Sequence, residues 1–357
     1  MLRFHPLAIS DRRAIADDAV AITFAVPAAL REDYRFRAGQ HLALRAKIGG
    51  SEERRTYSIV NPEGASSLTI GVRVHQAGRM SRHLAQDLAI GDVVDVMTPN
   101  GSFNTQPTGK GRLCAAFAAG SGITPVLSIA ATVLESEPAS RFQLYYGNTN
   151  TARTMFLEEV QALKDRYLAR FSVCFVMSRE PQDVALFNGR IDAARVAAFA
   201  EHGLAVAAAD EFFLCGPGTM SDEVQAALAA LGATGRVHVE HFTAAAGGDA
   251  APAPAITRAA PVEPTTGATV TVIMDGRRRQ FTMQPDELVL DAAGRAGLDL
   301  PFSCRAGVCS TCRARLVSGS ATMEHNVALE DWEVEAGYIL CCQARPTSPA
   351  LEISYDE

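Results

Sequence analysis

The apolar positions of this chain change their spacing twice along its length. Up to about residue 110 they come in short strand-like runs, at 21–26, 41–44, 56–60, 68–74 and 93–97. Gly and Pro punctuate these runs and little helical spacing is evident, which predicts an antiparallel β-barrel or sandwich over 1–110. From 111 to 243 apolar strands at 113–119, 142–147, 171–177 and 211–215 alternate with helical patterns at 125–135, 155–165 and 219–231. Strand–helix alternation implies a parallel, doubly wound α/β sheet. Over 267–357 strands return: 269–274 and 279–283 flank Asp275-Gly276, a hairpin turn pair, followed by a helix at 288–293 and a closing strand at 351–355. Between these segments, 244–266 is an Ala/Pro/Gly stretch without periodicity. It reads as a linker spanning about 25 Å, flexible in part and stiffened by proline. It would either let the last domain swing between two docking positions or serve as a passive tether. The expected fold is multidomain.

A length of 357 residues suits two or three domains, and 48% apolar residues suffice for several cores. No stretch approaches the ~18 continuous apolar residues of a membrane helix. The N-terminus, Met1-Leu2-Arg3-Phe4-His5-Pro6, lacks the apolar segment of a signal peptide. A soluble cytoplasmic protein with no membrane partner is expected. The net charge of −7 argues against a nucleic-acid partner. Residues 267–357 hold 13 acidic against 8 basic side chains, whereas the other 266 residues hold 27 against 25. Glu324, Glu330, Asp331, Glu333 and Glu335 crowd one stretch. A solvated acidic face accounts for them, and so does steering toward a basic patch on an electron acceptor.

The strongest chemical signal lies in that acidic quarter. Cys304, Cys309 and Cys312 fall in a C-x4-C-x2-C pattern, with Cys341 and Cys342 after a long gap. This is the plant-type spacing for a [2Fe–2S] cluster. Zinc sites favour two tight pairs, and only one is present. Disulfides suit short secreted chains rather than this one. Gly307 allows a close bend, and the small Ala306, Ser310 and Thr311 let amide N–H groups approach the sulfurs. Residues 338–342 read as a strand, on which neighbouring side chains point to opposite faces. Only one of Cys341 and Cys342 can then face iron, and spacing alone does not say which.

Glycine-rich turns supply the second signal. Gly120-Ser121-Gly122-Ile123-Thr124-Pro125 joins the first parallel strand to its helix, with Thr124 suited to an N-cap and Pro125 to the first helical position. A helix N-terminus so placed favours a phosphate. Cys215-Gly216-Pro217-Gly218 ends another strand of the same sheet, where ligands of open α/β sheets bind. In the barrel, Arg55 and Tyr57 share one strand face beside Ser58, and Gly78 precedes Ser81 at a helix start. Arginine can grip a phosphate, and tyrosine offers a flat face to a ring.

In their order, R-x-Y-S, G-x-x-S, G-x-G-x-T-P and C-G-P-G resemble the ferredoxin–NADP reductase superfamily over roughly residues 1–243, and the last ninety residues resemble the β-grasp fold of plant-type ferredoxins. The resemblance implies a flavin held by Arg55, Tyr57 and Ser58, its pyrophosphate near Gly78 and Ser81. It implies a nicotinamide nucleotide at Gly120, Gly122 and Thr124, with Cys215 and Gly216 beside the reacting ring. Val239-Glu240-His241-Phe242 is similar to the family's Glu-x-aromatic ending, which gives Glu240 and Phe242 catalytic roles; Phe242 as plain core is the alternative. Similar Ser-Arg pairs in NADPH-using relatives implicate Ser178 and Arg179 in holding a 2′-phosphate, so NADPH is expected and NADH stays open. In plant-type ferredoxins the last ligand follows the third after twenty-nine residues, which implies Cys342, with Cys341 a small core residue.

The domain order is that of oxygenase reductases. Segments such as Arg3-Phe4-His5-Pro6-Leu7, Phe36–Leu42, Asn188-Gly189-Arg190-Ile191-Asp192 and Gly337–Gln343 are similar to the reductase components of phenylacetyl-CoA epoxidases. That implies an NAD(P)H-dependent flavin (FAD, or FMN) iron–sulfur oxidoreductase that feeds a separate di-iron oxygenase component in phenylacetate catabolism. A reductase of a Rieske-type or steroid ring hydroxylase shares the layout. A redox sensor that keeps its cofactors without turnover is the alternative of another class.

Overall fold

A computed structural model describes residues 2–242 and 267–356; the expected linker at 244–266 lies outside them. The described residues form two compact units, one drawn largely from 4–242 and one from 267–356.

The first unit opens with six strands: β1 (Phe4–Ala16), β2 (Ala19–Ala25), β3 (His41–Ile48), β4 (Ser51–Ser58), β5 (Leu68–Arg73) and β6 (Val93–Met97). Their order is β4-β3-β6-β1-β2-β5, and a bridge from Ile59 to Ile70 brings the ends together as a barrel. The long β1 escapes the sequence pattern because Pro6 and the polar run Asp11-Arg12-Arg13 interrupt its alternation. It holds as a strand by changing partner at Ala8, from β6 to β2, with bulges at Ile9/Asp11 and Ala14/Ala16. Ile9, Ile22, Leu44, Ile70 and Val96 fill the barrel. Gly78 and Ser81 lie at the short helix α1 (Arg79–Arg82).

The same unit continues as β7 (Leu113–Ala119), α2 (Ile123–Ser136), β8 (Arg141–Asn148), α3 (Leu157–Arg166), β9 (Phe171–Met177), α4 (Ala193–Glu201), β10 (Glu211–Gly216), α5 (Gly218–Ala230) and β11 (Arg236–His241). The strands run parallel in the order β11-β10-β7-β8-β9. Each face carries its own core. Ala116, Phe142, Tyr146 and Phe213 pack with α2 and α3, while Phe117, Tyr145, Phe212 and Leu214 pack with α4 and α5. Central β7 is buried on both sides, which is why it reads as an unbroken apolar run. Helix α4 is too alanine-rich to show a clear apolar stripe; its start is fixed by Asp192, whose carboxylate accepts the Arg195 N–H at 2.8 Å.

The second unit contains β12 (Thr269–Met274), β13 (Arg277–Thr282), α6 (Val289–Arg295), β14 (Arg313–Ser318), β15 (Ala321–Met323), α7 (Asp331–Glu335), β16 (Tyr338–Leu340), β17 (Ala344–Pro346) and β18 (Ala350–Ser354). Asp275 and Gly276 both adopt positive φ, 59° and 68°, the two-residue turn expected between β12 and β13. The five-stranded sheet runs β13-β12-β18-β14-β16, with β12 and β18 parallel. Helix α6 packs Val289, Ala292 and Ala293 into one core with Val270, Val272 and Ile353, a β-grasp arrangement. The acidic stretch is not a uniform solvated face. Glu333 is buried and paired with Arg313, Glu330 and Glu333 form a capping box on α7, and Glu324 pairs with Arg345 at 2.6 Å. Asp331 and Glu335 are exposed.

Charge is also buried in the parallel sheet. The Arg112 guanidinium pairs with Glu137 at 2.9 Å and with Glu211, and Glu211 also bonds the His238 ring at 2.9 Å. Burial pushes both carboxyls up, but the opposing hydrogen bonds win and hold them below the usual range: Ser140 and Arg112 on Glu137, His238 and Thr105 on Glu211. Arg112→Met would leave Glu137 buried without its cation, at a cost of about 3–5 kcal/mol at neutral pH in urea unfolding. Because both folded values are depressed, this stabilisation is present above the ordinary glutamate range and lost as pH falls through the folded values. The gap between native and variant chains should therefore shrink on acidification.

Candidate functional site

The two glycine-rich turns, far apart in sequence, touch. A Cβ on Gly122 would lie 2.0 Å from the Cys215 carbonyl oxygen and 3.1 Å from the Gly216 nitrogen, so only glycine fits. Gly120 turns with φ +55°. The turn departs from expectation in one respect. Residues Gly120–Gly122 form a 3-10 turn and α2 begins at Ile123, so Gly122, not Thr124, occupies the N-cap and Pro125 is the third helical residue. The Thr124 hydroxyl instead donates to the Ser121 carbonyl at 2.9 Å, bracing the turn from inside the helix. Gly71 of β5 closes this corner: a Cβ there would meet Phe156 at 2.6 Å and Thr124 at 2.8 Å. Sequence reasoning missed Gly71, although a lone glycine inside a strand signals a close approach of another segment.

Beside these turns sits a cluster of polar groups. Cys215 and Glu240 are neighbours across β10 and β11, with the thiol 3.9 Å from Oε2. Ser58 at the end of β4 hydrogen-bonds the Glu240 carboxyl, and His41 Nδ1 of β3 lies 3.9 Å from its Oε1. Burial raises Glu240 to about 8, against the pull of Ser58 and Cys215. Burial lowers His41 to about 4, and burial with the adjacent Glu240 raises the Cys215 thiol. At neutral pH the cluster is therefore uncharged yet holds protons. His41 was not singled out from sequence; a histidine leading the apolar run Leu42–Leu44 was the available signal. Phe242, just past β11, is half-buried and packs on the larger core of the α/β domain.

The remaining expected residues are dispersed around this centre. Arg55 is exposed and Tyr57 half-buried on β4, while Ser58 is buried on the opposite face, as strand alternation requires. The Ser81 hydroxyl is occupied locally, accepting the His75 N–H at 3.2 Å and donating to the Gly78 carbonyl at 3.3 Å. Ser178 and Arg179 follow β9, their N–H groups bonded to Asn148 and Thr149. Glu180, the nearest acid, is engaged by the backbone and hydroxyl of Thr151 at 2.6 and 2.7 Å. The glycine cradle and the uncharged cluster fit a dinucleotide and a flavin ring.

In the second unit, the loop from Cys304 to Cys312 turns through three left-handed residues, Arg305, Gly307 and Ser310. Gly307 was expected; the other two carry side chains in a strained region, which such a loop must hold in place. A Cβ on Gly307 would lie 2.7 Å from the His325 carbonyl oxygen. The sulfurs gather in two pairs, Cys304 with Cys309 and Cys312 with Cys342, joined by hydrogen bonds. Within each pair the partner's S–H lowers one thiol, Cys304 to about 5 and Cys342 below its ordinary value. The Ala306 N–H points at Cys304 Sγ from 3.3 Å and the Cys304 N–H at Cys309 Sγ from 3.5 Å. Among the described residues no three ligands converge on one point. Two sulfurs per iron is what a binuclear cluster requires, so the donor set fits it. Residues 341–343 are a turn rather than the expected strand, since β16 ends at Leu340. The turn, not strand alternation, separates the adjacent sulfurs. Cys341 is buried in the core, pushed up to about 12 by burial, and faces Tyr355.

Cys342→Ser is expected to lose the cluster's visible absorption and iron, whereas Cys341→Ser keeps both; iron and sulfide assays on anaerobically prepared protein check this. For Glu240, a raised folded pKa means stability is full below the unfolded value near 4.5 and falls as pH rises toward about 8. Glu240→Gln should therefore gain stability relative to the native chain across that interval, read as the difference in Tm. A constant difference would show that Glu240 does not titrate there.

Comparison with known proteins agrees with this anatomy. Residues 6–105 match an oxidoreductase FAD-binding domain, 117–226 an oxidoreductase NAD-binding domain, and 272–347 a 2Fe-2S iron-sulfur cluster binding domain. The chain is 40% identical over 360 residues to one of the subunits of 1,2-phenylacetyl-CoA epoxidase from Escherichia coli, covering 100% of this chain and 99% of that one. It is 32% identical over 344 residues to the ferredoxin reductase component of 3-ketosteroid-9-alpha-monooxygenase from Rhodococcus rhodochrous, covering 95% and 93%. Phthalate dioxygenase reductase is similar in structure, with TM-score 0.58, 25% identity and 98% of each chain covered. The matched barrel domain supports FAD as the flavin. Among the described residues no helix is long and apolar enough to cross a membrane. The chain belongs to the family of oxygenase reductases that join FAD-binding, nucleotide-binding and [2Fe–2S] ferredoxin domains, and it is an NAD(P)H-dependent flavin iron–sulfur oxidoreductase.

Proposed function

We propose that this chain passes electrons from NADPH through FAD and the [2Fe–2S] cluster to the di-iron oxygenase component of a phenylacetyl-CoA 1,2-epoxidase, in the cytoplasm. The observation that carries the reading is 40% identity over the full chain to a component of such an epoxidase. When bound, FAD takes an electron pair from reduced nicotinamide and the cluster relays single electrons onward. The domains fall at 1–110, 111–243 and 267–357, joined by the linker 244–266.

In this reading Arg55, Tyr57 and Ser58 bind the flavin, and Gly78 and Ser81 meet its pyrophosphate. Gly120, Gly122 and Thr124 seat the nucleotide pyrophosphate, and Gly216 admits the nicotinamide ring. Glu240 keeps its proton near the reacting ring, held by Ser58 and Cys215 and faced by neutral His41. Such a site offers the ring no fixed charge. Phe242 yields its place as the nicotinamide enters. Cys304, Cys309, Cys312 and Cys342 hold the cluster.

The test is reconstituted turnover with purified di-iron partner and phenylacetyl-CoA. NADPH-dependent epoxide formation is expected; flavin and cluster reduction without product would reject this partner. The 32% identity to a steroid monooxygenase reductase favours one rival, a ring hydroxylase partner, which the same assay separates. NADPH preference rests on Arg179, whose side chain is exposed and makes no hydrogen bond or ion pair among the described residues. Arg179→Ala should raise the KM for NADPH about 10- to 100-fold, the worth of a charged hydrogen bond, and barely change that for NADH. Equal losses would remove the assignment.

A further inference from the structure

Gln343 follows Cys342 in the turn between β16 and β17 and is 4% exposed. Its Nε2 faces two acceptors, the Arg305 carbonyl oxygen at 3.0 Å and Cys342 Sγ at 3.9 Å. Both being acceptors fixes the amide's orientation. Turned over, Oε1 would face an oxygen and a sulfur with no proton between them. The stem is fixed as well, since a Cβ on Gly307 would come within 3.2 Å of Gln343 Cγ. The backbone is anchored at both ends of the residue: its N–H donates to Leu340 at 2.8 Å and its carbonyl accepts from Glu324 at 3.0 Å. A buried amide costs free energy unless its donors are used, and an apolar side chain would fill this place more cheaply.

The Cys304 and Cys342 sulfurs are served differently. Cys304 receives N–H groups from Ala306, Val308 and Cys309, all backbone. Cys342 receives one backbone N–H, from Gly307, and the side-chain amide of Gln343. Backbone donors come with the loop whatever its sequence, whereas a side-chain donor can be changed without moving the loop.

We propose that Gln343 is a positioning residue that sets the reduction potential of the [2Fe–2S] centre, donating a hydrogen bond to the Cys342 sulfur while pinning the Cys304 loop through the Arg305 carbonyl. Reduction adds negative charge that spreads onto the ligand sulfurs. A donor at Cys342 stabilises the reduced state more than the oxidised one and raises the potential. The proposal depends on the cluster, not on which oxygenase accepts its electrons.

The test is Gln343→Met in the full chain, purified without air with FAD and cluster in place. Met keeps the volume and removes the N–H. Full iron and sulfide content with a lowered midpoint is expected, by about three- to tenfold in the reduction equilibrium, the worth of one hydrogen bond; tenfold is about 59 mV for one electron. The flavin midpoint, read in the same titration, should not move. A loaded variant with an unchanged cluster midpoint would overturn the proposal and leave Gln343 a loop clamp. If the variant does not hold the cluster, the native chain decides. With glutamine side-chain amides labelled with 15N, pulsed EPR of the reduced cluster should show a glutamine nitrogen coupling, and its absence would equally overturn the idea.

Discussion

The contact on which the candidate site depends is backbone against backbone, Gly122 beneath the Cys215 carbonyl. With 2.0 Å available to a Cβ, no other residue lets the two turns meet. The closeness brings the start of α2 to the end of β10, beside the Cys215–Glu240 strand pair. Gly71 repeats the device on the barrel side, letting β5 lie against Thr124 and Phe156. Thus Ser58 and His41 from the barrel reach the same carboxyl that Cys215 reaches from the sheet.

How much of this was legible follows from what kind of force sets each feature. Strands β6 and β9 were readable to the residue, since their apolar runs are bounded by turn chemistry. The Asp275-Gly276 hairpin was readable because its turn demands positive φ at both positions. Strand β1 was not, since its stability comes from partners on either side rather than from its own alternation. The start of α2 was misplaced because Thr124 looks like a cap. The preceding 3-10 turn extends the helix backward, and no local composition marks that. The pair Cys341-Cys342 illustrates a right outcome from a wrong premise: the two sulfurs do diverge, but through a turn.

Within the site, Cys215, Gly122 and Glu240 were readable as motif residues, and their meeting was not. His41 was missed because its meaning lies in what faces it from β11, information that periodicity along β3 cannot hold. Glu333 was misread for the same reason. In sequence it belongs to an acidic run, while in the fold it is a buried partner of Arg313, the residue after Cys312.

The adjacent strands β10 and β11 carry glutamates that the fold treats in opposite ways. Glu211, at the start of β10, is half-buried beside Arg112 and hydrogen-bonded by Thr105 and His238, and it stays ionised. Glu240, near the end of β11, faces a hydroxyl, a thiol and a neutral imidazole, and it keeps its proton to about pH 8. Burial penalises the charge of both; on Glu211 the hydrogen bonds of His238 and Thr105, with Arg112 behind them, outweigh it, and on Glu240 those of Ser58 and Cys215 do not. The amino-terminal end of the sheet neutralises its carboxylates with Arg112 and gains a rigid base. At the carboxyl-terminal end, among the described residues, no cation lies within ion-pair distance of the Glu240 carboxyl, which leaves a protonated acid there. In the proposed function, a charge fixed there would oppose or trap one state of a ring that changes charge with each transfer, whereas a neutral hydrogen-bonded group follows the ring without that bias.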